Sequence, residues 1–314
     1  MRESLKFRQT WFDSRKRQLF IMNNAIFTAF DDNHFYYFIR LYNSLNENYP
    51  NHPIIIVHYE GVKPDRIEWL KSRKDIRLFL NTQLSVNLTS LHFHKAVPSK
   101  LVYFKYLLWT DKYDEYDNIL HLDVDTLVLG SLDDLLNREE FFIVYNNIPF
   151  KEVRILPNDS KSKGLAGFYL GFHRIREPEH DDMVNAGVFM IPKAVRQKGY
   201  LKSLVDITND FKDLLVYADQ SALSLWCMKH KITPSTEYQY NFQTPLFNKF
   251  LTSRYKGDLS LGNYFSLKKD ILEKVKIIHY SGPIKPDCPR FKKWRHMGRY
   301  KEMFYECFQK YQGV

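Results

Sequence analysis

The run Ile119-Leu120-His121-Leu122-Asp123-Val124-Asp125-Thr126-Leu127-Val128 sets two carboxylates two residues apart in an otherwise apolar, β-branched stretch. If the run is one strand, side chains alternate and Asp123 and Asp125 share a face. Two like charges side by side on a buried strand need a cation to neutralise them. Oxygen ligands at that spacing suit a hard divalent ion such as Mg²⁺ or Mn²⁺. The C-terminal edge of a parallel sheet is also where open α/β folds place ligands. The simpler alternative is a strand that frays at Asp123, with both acids in water.

Two chemistries compete for this segment. In the first, the acid pair holds a metal that bridges the diphosphate of a nucleotide-sugar, and a glycosyl group is transferred. In the second, a phosphatase of the haloacid dehalogenase type, Asp123 is the nucleophile and Asp125 the general acid/base. The phosphatase reading needs the motif at the opening of its domain and a further acid pair in strand context. Here some 118 residues of apparent core precede the motif. The available pair, Asp181-Asp182, follows a polar loop.

The elements that must hold these residues follow from periodicity. Ala25–Phe30 reads as a strand and Phe35–Leu45 as a helix with Ile39, Tyr42 and Leu45 inward. Pro53–Tyr59 reads as a buried strand, and Pro64 opens a helix through Leu70. Strand Ile76–Leu80, helix Ser99–Trp109, one long strand Asn118–Leu129 and strand Phe141–Tyr145 follow. Asn146–Asp182 is polar and reads as a long loop or lid. Strand Val184–Ile191, helices Leu201–Leu215 and Asp219–Lys229, and a late strand Val275–Tyr280 complete the body. Strand and helix alternate, which predicts an α/β fold with a mostly parallel sheet covered on both faces.

Composition narrows the class. With 314 residues, 44% hydrophobic and 26% charged, the chain can bury a large core, which excludes disorder throughout. Three cysteines, Cys227, Cys288 and Cys307, are too few and too separated for a disulfide framework or a four-thiolate zinc site, so a reducing compartment is expected. No apolar run approaches the ~20 residues of a membrane-spanning helix. The opening stretch has no continuous apolar core of a signal peptide, so a cytoplasmic location is expected and the sequons at Asn87 and Asn158 read as chance.

The net charge of +10 is concentrated at the ends. Residues 1–22 hold six Lys/Arg against two acids, and residues 285–314 hold eight against three. Such ends suit an anionic surface, a membrane headgroup layer or a phosphorylated substrate. No recognition motif accompanies the charge, so nucleic acid is not expected. From Arg299 onward, Tyr300, Met303, Phe304, Cys307, Phe308 and Tyr311 fall at helical spacing with one apolar face. This basic amphipathic helix either docks on the body or lies on anionic lipid.

Further blocks complete a pattern: Thr28-Ala29-Phe30-Asp31-Asp32-Asn33, Asn185-Ala186-Gly187-Val188, Asp219-Gln220 and His279-Tyr280-Ser281-Gly282-Pro283-Ile284-Lys285-Pro286. With Leu122-Asp123-Val124-Asp125-Thr126, and in this order, they resemble family-8 glycosyltransferases, the retaining group that includes glycogenin-like enzymes and bacterial lipopolysaccharide galactosyl- and glucosyltransferases. The resemblance implies a single GT-A type, Rossmann-like domain at 23–287. Its nucleotide half would span about 23–135 and its acceptor half about 136–287, between a basic extension at 1–22 and a basic aromatic tail at 288–314.

The resemblance also implies roles. Asp123, Asp125 and His279 would be the ligands of Mn²⁺, or of Mg²⁺. Ala29, Asp31, Asn33 and His34 would meet the uridine, Val124 would lie at the nucleotide, and Gly282 and Lys285 would clamp the diphosphate. Asn185, Ala186, Asp219 and Gln220 would surround the transferred hexose, with Gln220, Asp219 and Asn185 nearest the chemistry. Lys105 aligns with an arginine that contacts sugar and phosphate in the family. His34 stands where the family commonly has Tyr, and Asp287 where it commonly has Trp. The implied donor is a UDP-hexose, glucose or galactose. The implied acceptor is a hydroxyl of a glycan or glycolipid, with self-glucosylation on Tyr as the alternative and peripheral attachment to an anionic membrane through the basic ends.

Overall fold

The hydrophobic run after Asn24 forms strand β1 (Ala25–Asp31), every residue of which through Thr28 is buried. The computed structural model describes residues 22–80, 100–146, 184–196, 199–210, 218–244, 261–281, 286 and 300–312. After β1 come α1 (Phe35–Asn48), β2 (Ile54–Glu60), α2 (Pro64–Lys71) and β3 (Ile76–Leu80). The segment Lys100–Trp109 is a 3-10 helix. It leads to β4 (Asn118–Leu122), β5 (Thr126–Val128), α3 (Asp133–Leu136) and β6 (Phe142–Tyr145). The second half holds β7 (Val184–Pro192), α4 (Lys193–Arg196), α5 (Tyr200–Asp210), α6 (Ala218–Lys229), β8 (Phe242–Gln243), α7 (Leu261–Lys274), β9 (Ile277–His279) and α8 (Tyr300–Lys310).

Six strands form one sheet in the order β3-β2-β1-β4-β7-β6. The pairings β1–β2, β2–β3 and β1–β4 are parallel, and β4–β7 and β6–β7 are antiparallel. The sheet is therefore mostly parallel, as its apolar strands predict, because both faces are covered. On one face Ala25, Phe27, Ile119, Phe189 and Ile191 pack with Trp109 and Trp226. On the other, Ile26, Phe30, Leu120, Leu122, Val188 and Met190 pack beneath Phe38, Leu41 and Leu45 of α1. The strand order reverses direction between β1 and β4, and the C-terminal ends of those two strands carry Asp31 and Asp123. Crevices at such a switch point are where ligands bind in open α/β sheets.

One expectation is corrected here. Asn118–Leu129 is not one strand: β4 ends at Leu122, and the chain turns through Asp123, Val124 and Asp125 before β5 begins. The Thr126 N–H and Oγ1 both donate to the Asp123 carbonyl, at 3.1 and 2.8 Å, and close the turn. β5 then joins a second sheet, β5-β9-β8. Alternation along a strand therefore does not place the two aspartates. The chain changes sheets between them, and the turn does the placing.

The predicted C-terminal apolar face is real and is consumed by the body. Met303, Phe304, Phe308 and Tyr311 of the α8 region are buried with Leu127, Phe242, Ile278 and Tyr280 of the second sheet. The Arg40 guanidinium lies over the Phe308 ring at 4.2 Å. Among the described residues no helix is long and apolar enough to cross a membrane, and Cys227 and Cys307 are free and buried. Helix Leu201–Leu215 is described as far as Asp210, and the expected loop Asn146–Asp182 lies outside the described residues after Asn146.

Candidate active site

Asp123 sits where the first sheet runs out. Its N–H donates to the Gly187 carbonyl at 2.7 Å, one step beyond the last β4–β7 pair, Leu122 opposite Val188. Asp125 sits where the second sheet begins. Its carbonyl accepts from the Tyr280 N–H at 2.9 Å, one step beyond the pair Thr126–His279. The antiparallel register of β5 and β9 thus delivers His279, 154 positions later in the chain, to the aspartate turn. One ligand atom from each of Asp123, Asp125 and His279 lies within 4.8 Å of the others. His279 Nε2 is 3.3 Å from Asp125 Oδ1 and 4.0 Å from Asp123 Oδ2.

The donor set fits a divalent ion. Two carboxylates and one imidazole offer the mixed O and N ligation that Mn²⁺ accepts, and three protein ligands leave positions for phosphate oxygens. The cluster also fits geometrically, because His279 Nδ1 is already engaged at 3.1 Å by Asn241 Oδ1, leaving Nε2 toward the acids.

Asp123 is held from behind. Its Oδ1 accepts from Lys105 Nζ at 3.2 Å and from His121 Nε2 at 2.9 Å, so Oδ2 is the oxygen that faces His279. Burial would raise this carboxyl, but the Lys105 ammonium and the His121 hydrogen bond hold it well below the usual carboxylate range. His121 is itself pushed down to about 4, first by burial and then by Lys105, so at neutral pH it is the neutral donor to Asp123. His121 was not anticipated, although the signal was present: it stands two residues before Asp123 on β4.

Lys105 joins the site from the 3-10 segment. Its three ammonium protons meet three acceptors: Asp219 Oδ2 at 2.8 Å, Ala186 O at 3.0 Å and Asp123 Oδ1 at 3.2 Å. Burial alone would lower this ammonium, but Asp123 and Asp219 lift it above the usual lysine range. The expected pocket residues Ala186 and Asp219 are thus tied to Asp123 through one buried cation.

The other expected pocket residues form a chain. Asn185 Oδ1 accepts from the Gly187 N–H and from Asn241 Nδ2, each at 3.0 Å, and Asn185 Nδ2 faces Gln220 Oε1 at 3.4 Å. Asn241 is fully buried and had no signal in the sequence, lying just before the two-residue strand β8.

The expected uridine residues follow β1. Ala29 lies on β1 two residues after Phe27, the last residue of that strand paired with β4, opposite His121. Asp31 Oδ1 accepts from the His34 N–H at 3.1 Å and meets His34 Nδ1 at 2.6 Å. Asn33 and His34 are exposed, and Val124 is buried in the aspartate turn. Gly282 and Lys285 lie outside the described residues.

Residues 25–286 match the sequence model of glycosyl transferase family 8, and the chain belongs to that family. The architecture is the expected GT-A-like one. The galactosyltransferase LgtC, solved with donor and acceptor sugar analogues, superposes with a TM-score of 0.61 at 20% identity, over 92% of this chain and 97% of that one. The bifunctional glycosyltransferase WbbM gives 0.58 at 18% identity, over 94% and 50%. The glycosyltransferase GlyE of Streptococcus pneumoniae TIGR4, in its apo form, gives 0.56 at 18%, over 93% and 60%. At these identities the likeness speaks for the fold. No curated protein sequence matches the chain.

Proposed function

We propose that this glycosyltransferase moves a hexose, glucose or galactose, from a UDP-sugar to a hydroxyl of a glycan or glycolipid, with retention at the anomeric carbon. The observation that carries the reading is the convergence of Asp123, Asp125 and His279 at the C-terminal edge of the sheet. Mn²⁺ or Mg²⁺ held there supplies positive charge against the two phosphates of the leaving UDP.

The chain's own residues do the rest. Asp31, Asn33 and His34, at the end of β1, recognise the base, and Ala29 and Val124 border it. Gly282 and Lys285 close on the diphosphate, Gly282 by backbone approach and Lys285 by charge. Asn185, Ala186, Asp219 and Gln220 hold the hexose hydroxyls. Asp219 is ion-paired with Lys105, which argues against its serving as a free nucleophile. Gln220 carries no carboxylate. A same-face substitution, with the departing diphosphate taking the acceptor's proton, therefore suits these residues better than a double displacement. The buried apolar face of α8 argues for attraction of the basic ends to an anionic surface by charge rather than by insertion.

A screen of UDP-, GDP- and CMP-sugars for Mn²⁺-dependent hydrolysis tests the reading. Turnover of UDP-glucose or UDP-galactose is expected, and turnover of GDP- or CMP-sugars alone would refute the uridine assignment. Intact mass after incubation with UDP-glucose separates transfer to an external acceptor, which leaves the mass unchanged, from self-glucosylation in steps of one hexose.

A further inference from the structure

The hydrogen bonds behind His279 have a direction, and a backbone group sets it. The Gly187 N–H can only donate, so the atom of Asn185 that it meets at 3.0 Å must be the amide oxygen. Asn241 meets that same oxygen at 3.0 Å, so it must present its NH₂ there. Its own oxygen then faces His279 Nδ1 at 3.1 Å and can only accept. His279 Nδ1 must therefore carry a proton, and in the neutral imidazole the lone pair is then on Nε2, the nitrogen 3.3 Å from Asp125. Neither amide can flip without setting oxygen against oxygen or leaving a buried donor without a partner, and Asn185, Asn241 and His279 are all buried.

We infer that Asn241 is a positioning residue, fixing His279 in the Nδ1–H tautomer so that Nε2 is free to bind a divalent cation. In water imidazole favours the opposite tautomer, with the proton on Nε2, so a histidine without this partner would face the acids with a donor instead of a lone pair. Partners that orient a metal-binding histidine through its other nitrogen typically change metal affinity 10–100-fold when removed. The same chain ends at Gln220, so one backbone N–H orients both the amide nearest the hexose pocket and the metal-facing imidazole. The inference rests on the metal reading above.

Two measurements on the full chain test it. In metal-free protein labelled with ¹⁵N-histidine, with the His279 signals assigned by His279→Gln, wild type is expected to show the Nδ1–H tautomer. Asn241→Leu is expected to show the Nε2–H form. Electron paramagnetic resonance of free Mn²⁺ is expected to give a 10–100-fold weaker site in Asn241→Leu. An unchanged tautomer and unchanged Mn²⁺ affinity in a folded Asn241→Leu would overturn the inference. So would a neutral wild-type His279 that carries its proton on Nε2. If wild type binds no Mn²⁺ at all, the metal reading fails, and the tautomer signature still decides the role of Asn241 as the group that sets the imidazole proton.

Discussion

Gly187 and His279 occupy space that no side chain at position 187 can share: a Cβ built there would lie 2.1 Å from His279 Cε1 and 2.7 Å from Nε2. The glycine is needed because an imidazole lies against the strand, not because its backbone angles are unusual. Gly187→Ala is therefore expected to displace His279 and weaken Mn²⁺ binding at least tenfold, with overpacking costing about 1–3 kcal/mol. Mn²⁺ titration and urea unfolding of the variant measure the two effects separately.

Asp123 and Asp125 both belong to the candidate metal cluster, and Asp123 also holds contacts behind it. Asp125→Ala should abolish transfer by orders of magnitude. Asp123→Ala should lose transfer too, and in addition leave buried donors on Lys105 and His121 without their acceptor, at a cost of about 1–3 kcal/mol. Activity assays and chemical denaturation check both losses, and an Asp123→Ala variant as stable as wild type would contradict the placement of Lys105.

Lys105→Met removes a buried cation that Asp123 and Asp219 share. Breaking such a cluster by deleting one partner costs about 3–5 kcal/mol. Lys105→Arg should recover only part of that stability, because a planar fork does not match three acceptors arranged around a single nitrogen. Equilibrium unfolding of both variants gives the comparison.

The sequence carried the elements and the acid pair, but not how the pair is placed. The strands from Ala25, Ile54 and Val184 were legible because both faces of a mostly parallel sheet are buried, which writes nearly continuous apolar runs. Asn118–Leu129 misled for the same reason: both halves are buried and β-branched, so the switch between sheets at Asp123 leaves no polar break except the aspartates themselves. His279 was found only through its company, since a histidine in an apolar strand has no periodic mark of ligation. His121 was visible but unread, and Asn241 depends on contacts 56 and 38 positions away that no local pattern encodes.

The docking of α8 also makes a prediction. Phe308 is fully buried beneath Arg40 and beside Tyr280, so Phe308→Ala should cost about 3–5 kcal/mol. Denaturant midpoints measure it. A loss below about 1 kcal/mol would contradict the helix as part of the body and return its apolar face to other surfaces.

The central claim is that one divalent ion, held by Asp123, Asp125 and His279, grips the diphosphate of a uridine nucleotide. Calorimetric titration of UDP into the full chain, with Mn²⁺ and then with chelator, tests it most directly. The account predicts saturable UDP binding with Mn²⁺ that is lost with chelator and in Asp125→Ala. Equal UDP affinity with and without the metal would contradict it.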